Sequence, residues 1–208
     1  MNGARQRRLA LWQVRAWLLL GCQGWALAGL RRVLQAHPSD VHALATRAHL
    51  LAQRGEKAAA LQDLAQLVAL APDAAAGWFN YGFLSEDMGL LAQAEAAFLR
   101  ALALDPQLDR AWYGLGLCLM RQRRWPEAAA ALKQNTALQP MSPHGWCQLA
   151  RVYGALNAPD EAQKIIHHLR GFEPQAAAPL ERETADDATV PGQAWAGAPH
   201  PRAAQGLH

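Results

Sequence analysis

Pro38, Pro72, Pro106, Pro140 and Pro174 form an unbroken series with a spacing of 34 residues. A fixed interval of this length marks a chain assembled from stacked copies of one supersecondary unit, so it constrains the fold more than any composition could. Other columns keep the same step. Ala26, Ala60, Ala94, Ala128 and Ala162 form one, and Leu30, Leu64, Phe98, Leu132 and Ile166 form a second that is always large and apolar. Trp78, Trp112 and Trp146 form a third, and Gly21, Gly55, Gly89 and Asn157 a fourth, interrupted only by Arg123.

Each column has a physical reading. Glycine or asparagine can take the left-handed conformation that ends a helix, so a tight turn belongs there. Pro126 and Pro159 lie just beyond it, where a proline can open the next helix. The alanines let two helix backbones approach, the large residue four positions later fills the adjoining space, and the Pro column stops the second helix. Every unit is therefore expected to be a helix of about 14 residues, a short turn and a second helix of similar length. Alanine and leucine dominate, while Val, Ile and Thr are few, which also favours helices over strands.

The pattern resembles the tetratricopeptide repeat. Trp112, Leu115, Gly116, Ala128, Leu132 and Pro140 match its motif, as do Trp78, Tyr81, Gly82, Ala94, Phe98 and Pro106. Residues 143–174 match through Trp146, Leu149, Ala150, Tyr153, Ala162, Ile166 and Pro174. Residues 41–74 match more weakly, with Leu44 in place of Trp and Arg47 in place of Leu. The resemblance implies an all-α, right-handed superhelical solenoid of helix-turn-helix repeats. Its repeats would span 41–74, 75–108, 109–142 and 143–174. A degenerate one over 7–40 would keep only the skeleton around Val14, Trp17, Ala26, Leu30 and Pro38.

The two ends read differently. Residues 1–33 hold Arg5, Arg7, Arg8, Arg15, Arg31 and Arg32 and no acidic side chain, whereas residues 34–174 are nearly balanced in charge. The basic character thus belongs to the N-terminal end, with residues 1–6 as a basic arm, and nucleic-acid binding by the body is disfavoured. The stretch LALWQVRAWLLLGCQGWALAGL can also be read as a membrane anchor or signal segment, and Leu19-Leu20-Gly21-Cys22 resembles a lipoprotein cleavage site. Arg15 inside that stretch, and its phase with the repeat, favour the degenerate repeat. After Pro174 the period stops, and residues 175–208 read as a disordered tail in which Trp195 is isolated. Pro179 falls where a covering last helix would lie, so Ile165, Ile166, Leu169 and Phe172 are expected to face solvent, open to self-association or a partner.

In tetratricopeptide arrays the first helix of each pair lines a concave groove. Here the resemblance places Phe79, Asn80 and Phe83, then Arg110, Tyr113, Leu117 and Arg121, then Arg151, along that lining. Aromatic residues and arginine are the usual anchors of a binding hot spot. Asn80 and Arg110 occupy positions of the carboxylate clamp of heat-shock co-chaperones, but Ala45, His49 and Gly114 depart from it, so a full clamp is rejected. Cys22, Cys118 and Cys147 suit neither a disulfide framework nor a zinc motif, and fit a reducing compartment. His144 and Cys147 share a helix face without a third ligand or an orienting acid, and no phosphate-binding loop is present. The sequence therefore points to a cytoplasmic, non-enzymatic protein-interaction module with no cofactor or metal, binding a protein or peptide in the groove. A membrane-tethered assembly or biogenesis factor is the alternative, and a scaffold polymerising end to end a third reading.

Overall fold

The computed structural model describes residues 2–189, with side chains over 7–184. Among the described residues all regular structure is α-helical. The chain divides into two compact units, Met1–Gln122 and Arg123–His208. The first holds α1 (Asn2–Leu19), α2 (Gln23–Ala36), α3 (Val41–Gln53), α4 (Lys57–Leu70), α5 (Ala75–Asp87), α6 (Leu91–Leu104) and α7 (Asp109–Arg121). The second holds α8 (Trp125–Leu138), α9 (Pro143–Ala155), α10 (Pro159–Phe172) and α11 (Pro174–Thr189).

The columns become contacts. All five alanines of the Ala column and all five large residues of the next are buried. The residue before each proline of the Pro column is the C-cap of the preceding helix: His37, Ala71, Asp105, Gln139 and Glu173. Each has the extended φ that a following proline enforces, which is how the column stops the helix. The Trp column is tied to the Pro column. The indole N–H groups of Trp78, Trp112 and Trp146 donate to the carbonyls of Pro72, Pro106 and Pro140 at 3.0, 2.9 and 2.8 Å. One side chain thereby fixes the entry angle of each new helix pair.

The turn column also holds. Gly21, Gly55, Gly89 and Asn157 have positive φ, and so does Arg123, at 59°. The interruption in the sequence is therefore no interruption in the backbone, and Arg123 bears the strain that glycine would avoid.

One departure from the motif and one odd member of a column have compensations. Arg47, where the pattern has Leu, donates through Nε to the buried carboxylate of Asp63 on α4 at 2.7 Å. Phe98, the one aromatic of its column, is accommodated by glycines. A Cβ on Gly82 would stand 3.0 Å from its ring, and a Cβ on Gly114 only 2.6 Å.

Both termini differ from the sequence expectation. Residues 2–6, expected as a separate arm, already belong to α1, as Ala, Arg and Gln permit. Residues 175–189, expected as part of a disordered tail, belong to α11. Pro174 opens that helix at a position that needs no N–H, and Pro179 is tolerated one turn further in. Burial of Ala177 and Leu180 offsets its cost, since α11 packs on α9 and α10. Ion pairs of Glu183 with Arg151 and of Glu181 with Arg170 hold it from both sides. Consequently Ile165, Ile166 and Leu169 are buried and Phe172 half-buried, which corrects the expectation of an open apolar end and removes the reason given for self-association there. Trp195 lies outside the described residues.

Candidate functional site

The lining residues expected from the sequence separate into two groups. Phe79, Asn80 and Phe83 project from α5, and Arg110, Tyr113, Leu117 and Arg121 from α7, and these helices pack on each other within the first unit. Arg151 belongs to α9 in the second unit. Its guanidinium bonds both carboxylate oxygens of Glu183 at 3.2 Å, so it serves to hold α11.

On the α5–α7 face, Phe79 is the centre of an aromatic cluster. Its ring lies 6.3 Å from Phe83 and 6.2 Å from Phe98, centroid to centroid, within the range over which aromatic pairs attract. The Arg110 guanidinium sits 5.2 Å from the same ring, a cation–π contact. Phe98 is wholly buried, whereas Phe83 is 43 % exposed, so the cluster runs from the core to the surface. Tyr113 and Leu117 are half-buried beside it. Asn80 is half-buried, and its side-chain amide meets no hydrogen-bond partner among the described residues.

Arg121 has a different task. Its Nη1 donates to the backbone carbonyl of Glu86 at 2.6 Å and to the Glu86 carboxylate at 2.7 Å, joining the C-terminal ends of α5 and α7. Glu86 is buried while the Arg121 side chain stays 37% exposed, so this pair ties the ends of the two helices together at the border of the face. Gly114 is the residue whose importance the sequence concealed. It was visible only as a failed clamp position, but its missing Cβ makes room for Phe98 beneath the face.

On α3, burial pulls the His49 imidazole below its ordinary pKa, and its Nδ1 is buried without a hydrogen-bond partner. His49 is thus held neutral at pH 7. Burial also pushes the thiols of Cys118 and Cys147 upward. A raised thiol is a poor nucleophile, and Cys147 points to the Ala176 carbonyl of α11 while His144 is exposed.

The comparisons with known proteins bear on this geometry. The family profile described as tetratricopeptide repeat matches residues 45–109 and 86–143. Residues 45–143 are thus tetratricopeptide repeats. The matched residues include α5, α6 and α7, which carry the aromatic face. Among solved structures, a crystal structure of MamA is similar over 88% of this chain and 96% of that one, at 20% identity and TM-score 0.76. YrrB, described as a tetratricopeptide repeat protein with an unusual peptide-binding site, is 14% identical with TM-score 0.73, covering 81% of this chain and 88% of its own. PilW, described as a widely conserved type IV pilus biogenesis factor, is 21% identical with TM-score 0.67, covering 91% and 96%. At these identities the likeness is one of fold. No curated protein matches the sequence. No helix of the described residues is long and apolar enough to cross a membrane.

Proposed function

We propose that this tetratricopeptide repeat protein is a non-catalytic interaction module that takes an extended peptide segment of a partner on the α5–α7 face. The observation that carries the reading is the exposed Phe83 continuous with a buried aromatic cluster, next to an amide with no partner of its own on Asn80. A rigid aromatic anchor supplies contact area at low entropic cost, and an amide can donate to and accept from a peptide backbone. The ligand expected is a peptide with one apolar side chain seated against Phe83 and its backbone bonded to Asn80. Arg110, stacked on Phe79, borders the same face. The tetratricopeptide fold, and the peptide-binding site named for YrrB, support this reading.

The test is selection from a random peptide library, followed by fluorescence polarisation with the selected peptides. Phe83→Ala and Asn80→Ala should each weaken binding about tenfold, a loss of about 1.4 kcal/mol, with unchanged helical circular dichroism. Selected peptides that bind both variants as tightly as wild type would place recognition elsewhere.

A further inference from the structure

Helix α1 has two apolar faces. It turns Ala10, Leu11, Val14, Trp17 and Leu18 to the core that it shares with α2 and α3. With 3.6 residues per turn, Leu9, Trp12, Ala16 and Leu19 all fall within about 40° of the direction opposite Val14. Leu9, Trp12 and Leu19 are 61%, 70% and 89% exposed, and Leu20 continues the run at 74%. Trp25, at the start of α2, is 65% exposed with its ring 6.4 Å from that of Trp17. A helix apolar on both faces is ordinarily covered on both.

The 34-residue columns show what this face is not built to receive. The counterparts of Leu9 in later units are Ala43, Gly77, Ala111 and Gly145, each buried. They are small because the preceding helix packs there: a Cβ on Gly77 would come within 2.6 Å of Leu67, and one on Gly145 within 2.1 Å of Asn135. Leu9 fills the space that another repeat, or a second copy stacked in register, would need. The counterparts of Trp12 are Thr46, Asn80, Gly114 and Gln148, and those of Leu19 are Gln53, Asp87, Arg121 and Ala155. Large apolar side chains at these positions are therefore peculiar to the first unit and have no use in repeat packing.

The charge beside the stripe says what does fit. Residues 1–33 carry six arginines and no acidic side chain. Arg7 is engaged by Asp40, but Arg8 and Arg15 are exposed, about 60–80° around the helix from the centre of the stripe. Exposed Trp and Leu bordered by Arg is the composition of a helix lying in a lipid interface, its rings at the headgroup level and its guanidinium groups on phosphates. A nonpolar protein partner would leave the arginines without a role.

We propose that the N-terminal helix pair docks this protein on the surface of an anionic membrane. Helix α1 lies in the plane of the interface, Leu9, Trp12 and Leu19 enter the headgroup–acyl boundary, and Arg8 and Arg15 meet lipid phosphates.

The experiment is flotation of the full chain with vesicles of phosphatidylglycerol or of phosphatidylcholine, at low and high salt. Binding is expected to phosphatidylglycerol alone, with a blue shift of tryptophan emission and weakening at high salt. Arg8→Gln and Arg15→Gln should each reduce the partition coefficient about fivefold. Trp12→Ser with Leu19→Ser should reduce it about tenfold or more while circular dichroism and melting stay as in wild type. Absence of binding to phosphatidylglycerol, equal binding to both lipids, or variants that bind like wild type would each overturn the proposal. So would a wild-type dimer in light scattering that the Trp12/Leu19 variant converts to monomer, because a second copy would then own the face.

Discussion

Helices α11 and α1 each pack on their neighbours through one side, and they differ in what the other side presents. At the C-terminal end, α11 buries Ala177 and Leu180 against the last helix pair and leaves Gln175, Ala178 and Arg182 outside. That is the polar-backed capping helix a solenoid needs for solubility. At the N-terminal end, α1 buries one side and presents Leu9, Trp12 and Leu19 on the other. The comparison teaches that a helix packed on one side only need not leave apolar surface on the other. Helix α11 achieves this with sixteen residues of ordinary composition, so the apolar outer side of α1 calls for an occupant.

The largest effect should come from making one substitution at both ends. Leu180→Ala removes a fully buried side chain and should cost about 2–4 kcal/mol, read from urea melts. Leu19→Ala should change stability by no more than about 0.5 kcal/mol. Equal costs would break the comparison. Next in size is the packing beneath the aromatic face. Gly114→Ala should destabilise by about 1–3 kcal/mol because its Cβ meets Phe98, and Phe98→Leu in the same chain should recover much of the loss. Additive costs in that double-mutant cycle would mean that Phe98 is not what excludes the methyl group.

A third prediction sharpens how the open end is held. The Asp40 carboxylate accepts from Arg7 of α1 at 2.6 Å and from the Ala43 N–H of α3 at 3.1 Å. The hydrogen bond from Arg7 first, and that from Ala43 with it, hold its pKa below the ordinary value against the opposing effect of burial. Because the folded value lies below the unfolded one, its stabilisation is complete above about pH 4 and fades as pH falls through the folded pKa. Asp40→Ala should cost about 1–2 kcal/mol at pH 7 through the lost helix cap. Asp40→Asn should cost less and flatten the acid limb of the stability profile. An acid limb unchanged in Asp40→Asn would assign it to other carboxylates. The smallest effect concerns Arg123, whose φ of 59° is a left-handed conformation. Arg123→Gly should raise stability by about 1 kcal/mol, against no gain from the same change at Arg124, which lacks that conformation.

Much of the fold was legible because its constraints repeat. One alanine says little, but five at equal spacing specify a helix contact, and the tryptophan and proline columns even encode the bond between them. Single-occurrence features were harder to read. Arg123 looked like a break in the turn column because a side chain gives no direct sign of the backbone strain it carries. Pro179 looked like a helix stop, because its local cost is plain in sequence while the repayment comes from Arg151 and Arg170 on other helices. Phe79, Phe83 and Arg110, named from their place in the repeat, share one cluster in the structure. That Arg121 and Arg151 are tied to Glu86 and Glu183 depends on pairings 35 and 32 residues apart in the chain, which no spacing rule announces.

Photochemical carbene footprinting of the intact chain, read residue by residue, tests the difference between the two ends most directly. The account predicts heavy labelling of Leu9, Trp12 and Leu19, and protection of Ile165 and Leu169. Removal of residues 174–208 should expose the α10 pair to label and leave the α1 stripe as it was. Comparable protection at both ends of the intact chain, or an α10 face already labelled before the truncation, would contradict it.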